Sequence, residues 1–369
     1  METQQLIELW KRARNRGENV YLATVVHIVG SSYRKPGTRM LVTSRGERAG
    51  TISGGCLEAE VARKIAWFTR NGAFLKSYRS SFDGDDVPYG LGCGGTIWVL
   101  MEAGDSVDAM MEALRSSLER RAKAVVLMSL SNDGAPHTRV ISEAEIGAYA
   151  DSSPHEPSID QMKLVLSENR VVASFENAIQ GVPQHICMPV IPPQRLFVFG
   201  AGDDAQPIVR SATELGWEAI VADSRSHLLR QERFPLARHL SPLPLGNLAS
   251  PDLDYELAEN LRMNENDCAI ILTHSHAQDR YLLKNLLIRP LRYLGILGPR
   301  HRTNRILGSI CSEIGLSEQE CMKRLHAPVG LDIGKDNPAI IALSIVAEVQ
   351  AQVAGVSIKV EKSGSEISS

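Results

Sequence analysis

No stretch of this 369-residue sequence is apolar over anything near the ~20 residues that a membrane-spanning helix needs. No apolar segment follows a basic start at the N-terminus either, so the expectation is a cytosolic protein with no membrane partner. An excess of charge of one sign is also missing. Lys and Arg number 40 against 43 Asp and Glu, for a formal charge of −3, so no global basic field points to nucleic acid and any anion binding must be local. The six cysteines, at 56, 93, 187, 268, 311 and 321, form no CxxC pair and lack the density of a secreted disulfide scaffold; they are expected as reduced thiols. Asp83-Gly84-Asp85-Asp86 opens like a calcium loop but lacks the glutamate that would close it, which leaves a turn.

What is present is an ordinary globular composition, 43% hydrophobic and 22% charged, in a chain long enough for two or three domains at ~150 residues each. The spacing of Leu6, Ile7, Leu9, Trp10 and Ala13 predicts an opening amphipathic helix. Two β-branched stretches, 20–29 and 40–44, flank a polar loop carrying Arg34 and Lys35, which suits either a phosphate or a solvated hairpin tip. Then Ser53-Gly54-Gly55 turns a short strand into a helix that begins with Cys56 and continues through Leu57, Val61, Ile65 and Phe68. A helix N-terminus favours a thiolate, so Cys56 reads as a reactive sulfur or as a small apolar residue in a tight turn. Gly90-Leu91-Gly92-Cys93-Gly94-Gly95 bares the backbone around a second cysteine, which a flat ligand can approach; a tight bend is the competing explanation. Two glycine-set thiols suit persulfide transfer or soft-metal chemistry. The region 142–160 reads as a polar surface excursion, and Pro192-Pro193 as a linker.

From Arg195 short apolar strands alternate with helical patterns, which predicts a parallel sheet. Gly200-Ala201-Gly202-Asp203-Asp204-Ala205 is a GxGxxA turn, and Asp223 ends the next strand at the distance of a ribose ligand. Asp203 and Asp204, however, place two negative charges where a pyrophosphate would sit. His274, His276 and Asp279 after one strand have a metal-like look, with helix capping by Asp279 as the alternative. Arg300, His301, Arg302 and Arg305 form the densest positive patch, suited to a phosphorylated ligand. The helix 338–353 is apolar around more than half its circumference, more than one domain face requires, and the last dozen residues should be disordered.

Taken together, Gly30-Ser31-Ser32, Pro36-Gly37, Ser53-Gly54-Gly55-Cys56-Leu57-Glu58, Gly90 to Gly95, Gly200-Ala201-Gly202, Asp223-Ser224-Arg225, Thr273-His274, Leu297-Gly298 and the run from His326 to Gly334 resemble the XdhC/CoxI family of accessory proteins for molybdenum hydroxylases. The resemblance covers almost the whole chain. It implies an α/β protein, with an N-terminal α+β cysteine-bearing domain over 1–191 and a Rossmann-like doubly wound parallel sheet over 194–335. A helix over 336–355 would pack at a domain or dimer junction, ahead of a disordered tail over 356–369. It implies cytoplasmic binding of the molybdenum-pterin cofactor as cargo, support for its sulfuration by a cysteine desulfurase, and delivery to the large subunit of a xanthine dehydrogenase-type hydroxylase in purine catabolism. A homodimer is expected, and turnover chemistry is not. The residues expected against the cofactor are Ser53, Gly54, Gly55, Cys56, Gly92, Cys93, Gly94, Gly200, Gly202, Asp223, Arg300 and Arg302, with Cys56 and Cys93 near its metal and dithiolene end and the arginines on its phosphate. Glu58 is expected as a helix N-terminal carboxylate and not a base. The alternatives are an NAD(P)-dependent oxidoreductase built on the GxGxxA turn, which Asp203 and Asp204 disfavour, and a metal-dependent hydrolase built on His274, His276 and Asp279.

Overall fold

The computed structural model describes residues 2–32, 34–79, 95–130, 136–149, 157–174, 185–243, 261–334 and 336–356, with the side chains of Cys56, Leu130, Pro136, His137 and Ser174 left out. The chain divides into two compact units at Pro192/Pro193.

In the first unit α1 (Glu2–Asn15) leads into β1 (Val20–Val29), β2 (Arg39–Thr43) and β3 (Arg48–Gly50), and after α2 (Cys56–Phe68) come β4 (Phe74–Arg79) and β5 (Thr96–Ala103). These five strands form an antiparallel sheet in the order β3-β2-β1-β5-β4. Beyond α3 (Asp105–Arg120), a second antiparallel sheet pairs β7 (Pro136–Ser142), β6 (Ala124–Leu130), β9 (His185–Val190) and β8 (Val172–Ser174) in that order. The continuous apolar character of β1 has a direct cause: both of its faces are covered. Val20, Leu22 and Val26 pack with α1, α3 and the second sheet, whereas Ala23 and Val25 pack against Leu57, Val61 and Ile65 of α2. Within 142–160, of which 150–156 lie outside the described residues, a four-residue helix forms and a longer one begins. Ser142 and Ser158 cap α4 (Glu143–Ile146) and α5 (Ile159–Glu168), and α5 buries Met162, Val165 and Leu166 against the far face of the second sheet.

The second unit is a five-stranded, fully parallel sheet of order β12-β11-β10-β13-β14. Its elements are β10 (Arg195–Phe199), α6 (Ala205–Glu214), β11 (Glu218–Asp223), β12 (His239–Pro242), β13 (Cys268–Ile271), α7 (His276–Leu286), β14 (Tyr293–Ile296), α8 (Arg300–Ile310), α9 (Glu318–Arg324) and α10 (Pro338–Ala354). Helices cover both faces, α7 and α8 on one and α6 and α10 on the other, which makes the sheet doubly wound. The strand order reverses beside β10, so the carboxyl ends of β10 and β13 frame the crevice where such sheets hold ligands. Asn337 starts α10 by accepting the Ala339 and Ile340 amides at 2.9 and 3.0 Å, with Pro338 at the first helical position, and Gly355 ends it in the left-handed region. Its Ala342, Ile345, Val346 and Val349 pack beside α6 within this unit, while Leu343 stays exposed. Among the described residues no helix is long and apolar enough to cross a membrane.

Candidate functional site

The hinge between β3 and α2 is assembled around one buried carboxylate. Glu58 Oε1 accepts hydrogen bonds from the Ile52 and Ser53 amides at 3.1 and 2.6 Å and from Thr51 Oγ1 at 2.5 Å. Its Oε2 accepts from Ser53 Oγ at 2.5 Å and from the Gly55 amide at 2.9 Å. Burial by itself would raise the pKa of this carboxyl, but the donors outweigh it and bring it down to about 2. With its lone pairs occupied, Glu58 anchors the hinge and has no capacity left to act as a base. Cys56 is the first residue of α2, as the glycine spacing predicts. The ionised Glu58 in that same turn offsets part of the positive helix terminus that would otherwise lower a thiol pKa there.

Ser53, Gly54 and Gly55 line an open cleft of about 520 Å3 whose cationic side is formed by Arg34 and Arg48. Arg34 Nη2 lies 3.6 Å from Glu2 Oε1; Arg48 is exposed, with no ion-pair partner among the described residues. Gly92, Cys93 and Gly94 lie outside the described residues. The chain resumes at Gly95, whose main chain approaches Ser31 so closely that a Cβ would stand 2.2 Å from the Ser31 carbonyl oxygen. Ser31, Arg34, the hinge and the end of the second glycine cluster thus lie at the same end of the first sheet's strands, although they are scattered along the chain.

In the second unit the GxGxxA turn is closed by its own side chains. Asp223, 3% exposed, points back at the turn. Its Oδ2 accepts the Ala201 amide at 2.6 Å and Arg225 Nη2 at 2.8 Å, while Oδ1 accepts the Arg225 amide at 2.8 Å and Arg225 Nε at 3.0 Å. Burial would raise its pKa; the Arg225 and Ala201 hydrogen bonds overcome that and hold it below the usual carboxylate value. Four donors on four lone-pair sites leave nothing for a ribose hydroxyl. Gly200 is fixed by its amide on Ala222 O at 2.8 Å, and after Gly202 the exposed Asp203 pairs with Arg233 Nη2 at 2.9 Å. Asp204 Oδ2 lies 3.8 Å from Nε2 of His274, which sits on left-handed backbone at the end of β13.

Asp279 is buried and caught between two partners, accepting Thr273 Oγ1 at 2.5 Å and Arg302 Nη2 at 2.5 Å. Burial raises its pKa, with Thr273 and Arg302 opposing. Those contacts occupy the carboxylate that a metal would need, His276 is exposed, and no group of three metal-ligating side chains stands together among the described residues. Arg302 therefore spends its charge within the protein. Arg300 is exposed, has no ion-pair partner among the described residues, and lines a cavity of about 870 Å3 bounded by 326–332 and α10.

Sequence reasoning missed Arg48, which lies on a three-residue strand too short for any periodic signal, Arg233, and the pairing of Arg225 with Asp223. It also missed Glu348, which reads as one more polar position on an apolar helix. Glu58 carried a legible signal, a carboxylate three residues after the cap, but its several donors depend on how the preceding loop folds.

The model of the XdhC and CoxI family matches residues 13–79, and that of the XdhC Rossmann domain matches residues 196–349. The chain is 29% identical to a Bacillus subtilis protein named as a probable xanthine dehydrogenase subunit, over 90% of this chain and 92% of that protein. It is 24% identical to the molybdenum cofactor insertion chaperone PaoD of Escherichia coli, over 90% of this chain and 83% of that one. A crystal structure of a protein named as a xanthine dehydrogenase from Bacillus halodurans superposes with a TM-score of 0.71 at 27% identity, covering 97% of this chain and 98% of that one. The chain belongs to the XdhC/CoxI family.

Proposed function

We propose that this protein is an accessory factor that binds the molybdenum-pterin cofactor as cargo, supports its sulfuration and inserts it into a xanthine dehydrogenase-type hydroxylase. The observation that carries the proposal is a likeness over nine-tenths of the chain to a protein named as a molybdenum cofactor insertion chaperone. The geometry argues against the main competitor. A nicotinamide dinucleotide needs an open anion site at the first turn and a free carboxylate for its ribose, and here Asp203 and Asp204 occupy the first while Asp223 is fully engaged.

The residues of the hinge suit an anionic, sulfur-rich cargo. Arg34 and Arg48 offer charge-assisted donors on one side of the cleft, and Cys56 begins the helix beside it. When bound, the cofactor supplies a soft metal–dithiolene end, which matches thiol donors better than carboxylates. In this reading Glu58 holds the Thr51–Gly55 main chain rigid, and Cys56 and Cys93 present sulfur to the cargo while a cysteine desulfurase works on it. A cytoplasmic homodimer belongs to the same proposal; light scattering at micromolar concentration checks it.

The test is the pterin content of protein purified from a host that makes the cofactor, for wild type, Cys56→Ala and Cys93→Ala, together with activation of an apo-hydroxylase. Pterin in the wild type and a loss in the variants are expected. Wild-type protein without pterin, or without effect on hydroxylase activation, overturns the function; undiminished loading and activation in both variants removes only the thiols. NADH titrated against tryptophan fluorescence is expected to give no saturable change.

A further inference from the structure

The cavity beside Arg300 is not a packing fault, because every segment around it is pinned. The main chain from His326 to Leu331 runs along β14, with the His326 amide on Leu294 O at 2.9 Å and the Val329 amide on Ile296 O at 3.0 Å. On its other side the Leu331 amide donates to Ser344 O at 3.2 Å and the Gly330 amide to Glu348 Oε2 at 2.8 Å, both on α10. Gly330 lies so close to α10 that a Cβ would stand 2.3 Å from Ser344 Oγ. A nearly apolar loop held this firmly, with about 870 Å3 left open beside it, matches the volume and preorganisation of small-molecule sites.

The lining also has a polarity. Apolar Val329, Leu331 and Ile341 share the lining with the carboxylate residue Glu348 and the cationic residue Arg300. Glu348 accepts from the Tyr293 hydroxyl and Gly330 amide through Oε2, and its Oε1 lies 3.2 Å from His326 Nδ1, while the His326 ring stacks on Tyr293 at 4.3 Å between centroids. Three of its four lone-pair sites are thus taken, and one on Oε1 remains to accept from a ligand. A complementary molecule has an apolar body, an N–H group for Glu348 and an anionic group for Arg300.

We propose that this cavity holds the heterocyclic head of a phosphorylated pterin, with Glu348 accepting from its N–H edge and Arg300 holding its phosphate. The assignment rests on the cofactor reading above, and every residue it uses lies in the second unit. Arg302, committed to Asp279, has no part in it.

The test uses the full chain from a host that makes the cofactor, with folding checked by circular dichroism and bound pterin measured by the fluorescence of its oxidised form. Arg300→Ala, a change at an exposed residue, is expected to lower pterin loading by ~10-fold, the scale of one charge-assisted contact. Glu348→Gln is expected to lower it comparably where it folds, and Arg300→Ala decides the matter where it does not. Loaded wild type with equally loaded Arg300→Ala overturns the cavity assignment and leaves the cofactor function intact. Unloaded wild type defeats the function. In that event a pterin monophosphate, titrated into wild type from a cofactor-free host and followed by pterin fluorescence, decides the cavity: saturable binding weakened by Arg300→Ala supports it, and no binding overturns it. Saturation by GMP in place of the pterin, by the same criterion, overturns the pterin assignment.

Discussion

Replacing Glu58 by Gln should loosen the hinge in a way that pH can diagnose. In the folded protein the carboxyl pKa falls from 4.5 to about 2. At ~1.36 kcal/mol per unit that is a stabilisation of about 3 kcal/mol. The cleft beside it is open to solvent, which screens part of the effect, so about 2–3 kcal/mol is expected near neutrality. Gln keeps one accepting oxygen but turns an N–H2 group toward the donors of Ser53 and Gly55, leaving buried donors unpaired. Because the folded pKa is depressed, the stabilisation is complete above pH 4.5 and is lost as the pH falls toward about 2. Urea unfolding of wild type and Glu58→Gln should therefore differ by about 1 M in midpoint at pH 7, given slopes of ~1–3 kcal/mol/M. The difference should shrink as the pH falls below 4.5. A midpoint change within error at pH 7, or a gap that does not narrow on acidification, would refute the anchor.

The buried Asp267 accepts Arg195 Nε at 2.8 Å and the Asn264 amide at 2.7 Å, so Asp267→Ala should destabilise the second unit by about 3–5 kcal/mol, measured by calorimetry. Asp223→Ala should cost about 1–3 kcal/mol through its freed donors and should not create NADH binding; a variant as stable as wild type in urea would show that the closed turn is not held by this carboxylate. Burial pushes the Cys187 and Cys268 thiols up to about 12, so both should resist iodoacetamide at pH 8 in folded protein and react in urea, with peptide mass spectrometry as the readout.

Local signals carried much of the fold. The cap-and-proline start of α10 and the βα alternation after Arg195 are written in neighbouring residues, and each appears where the spacing places it. Strand order is not written that way: nothing in β12, four residues between loops, announces that it pairs with β11. The short helix α4 and the start of α5 were legible through Ser142…Glu145 and Ser158…Gln161, yet a polar, proline-bearing context outweighed those capping pairs. At the site the sequence located the hinge, the turn and the basic patch, since each is a compact run. It did not show which charges cancel. Asp223 has the spacing of a ribose ligand, and its occupation by Arg225 follows from a side-chain rotamer that spacing does not encode.

That cancellation has a direction. Glu58 is spent on main-chain and hydroxyl donors, Asp223 on Arg225 and Ala201, Asp279 on Thr273 and Arg302, and most of Glu348 on Tyr293, His326 and Gly330. Arg48 and Arg300 remain as exposed cations without an ion-pair partner among the described residues, each lining an open cavity within its own unit. A chain with no net positive charge thus leaves exposed cations beside open cavities by using its carboxylates as scaffold. Cations at the mouths of rigid clefts attract and orient an anionic ligand, and solvent access to them leaves each contact weak enough to exchange. Under the proposed function, in which cargo must be passed on, that balance is an advantage: a buried, fully paired arginine would hold a phosphate tightly and release it slowly, since affinity among related complexes is set mostly by the rate of dissociation.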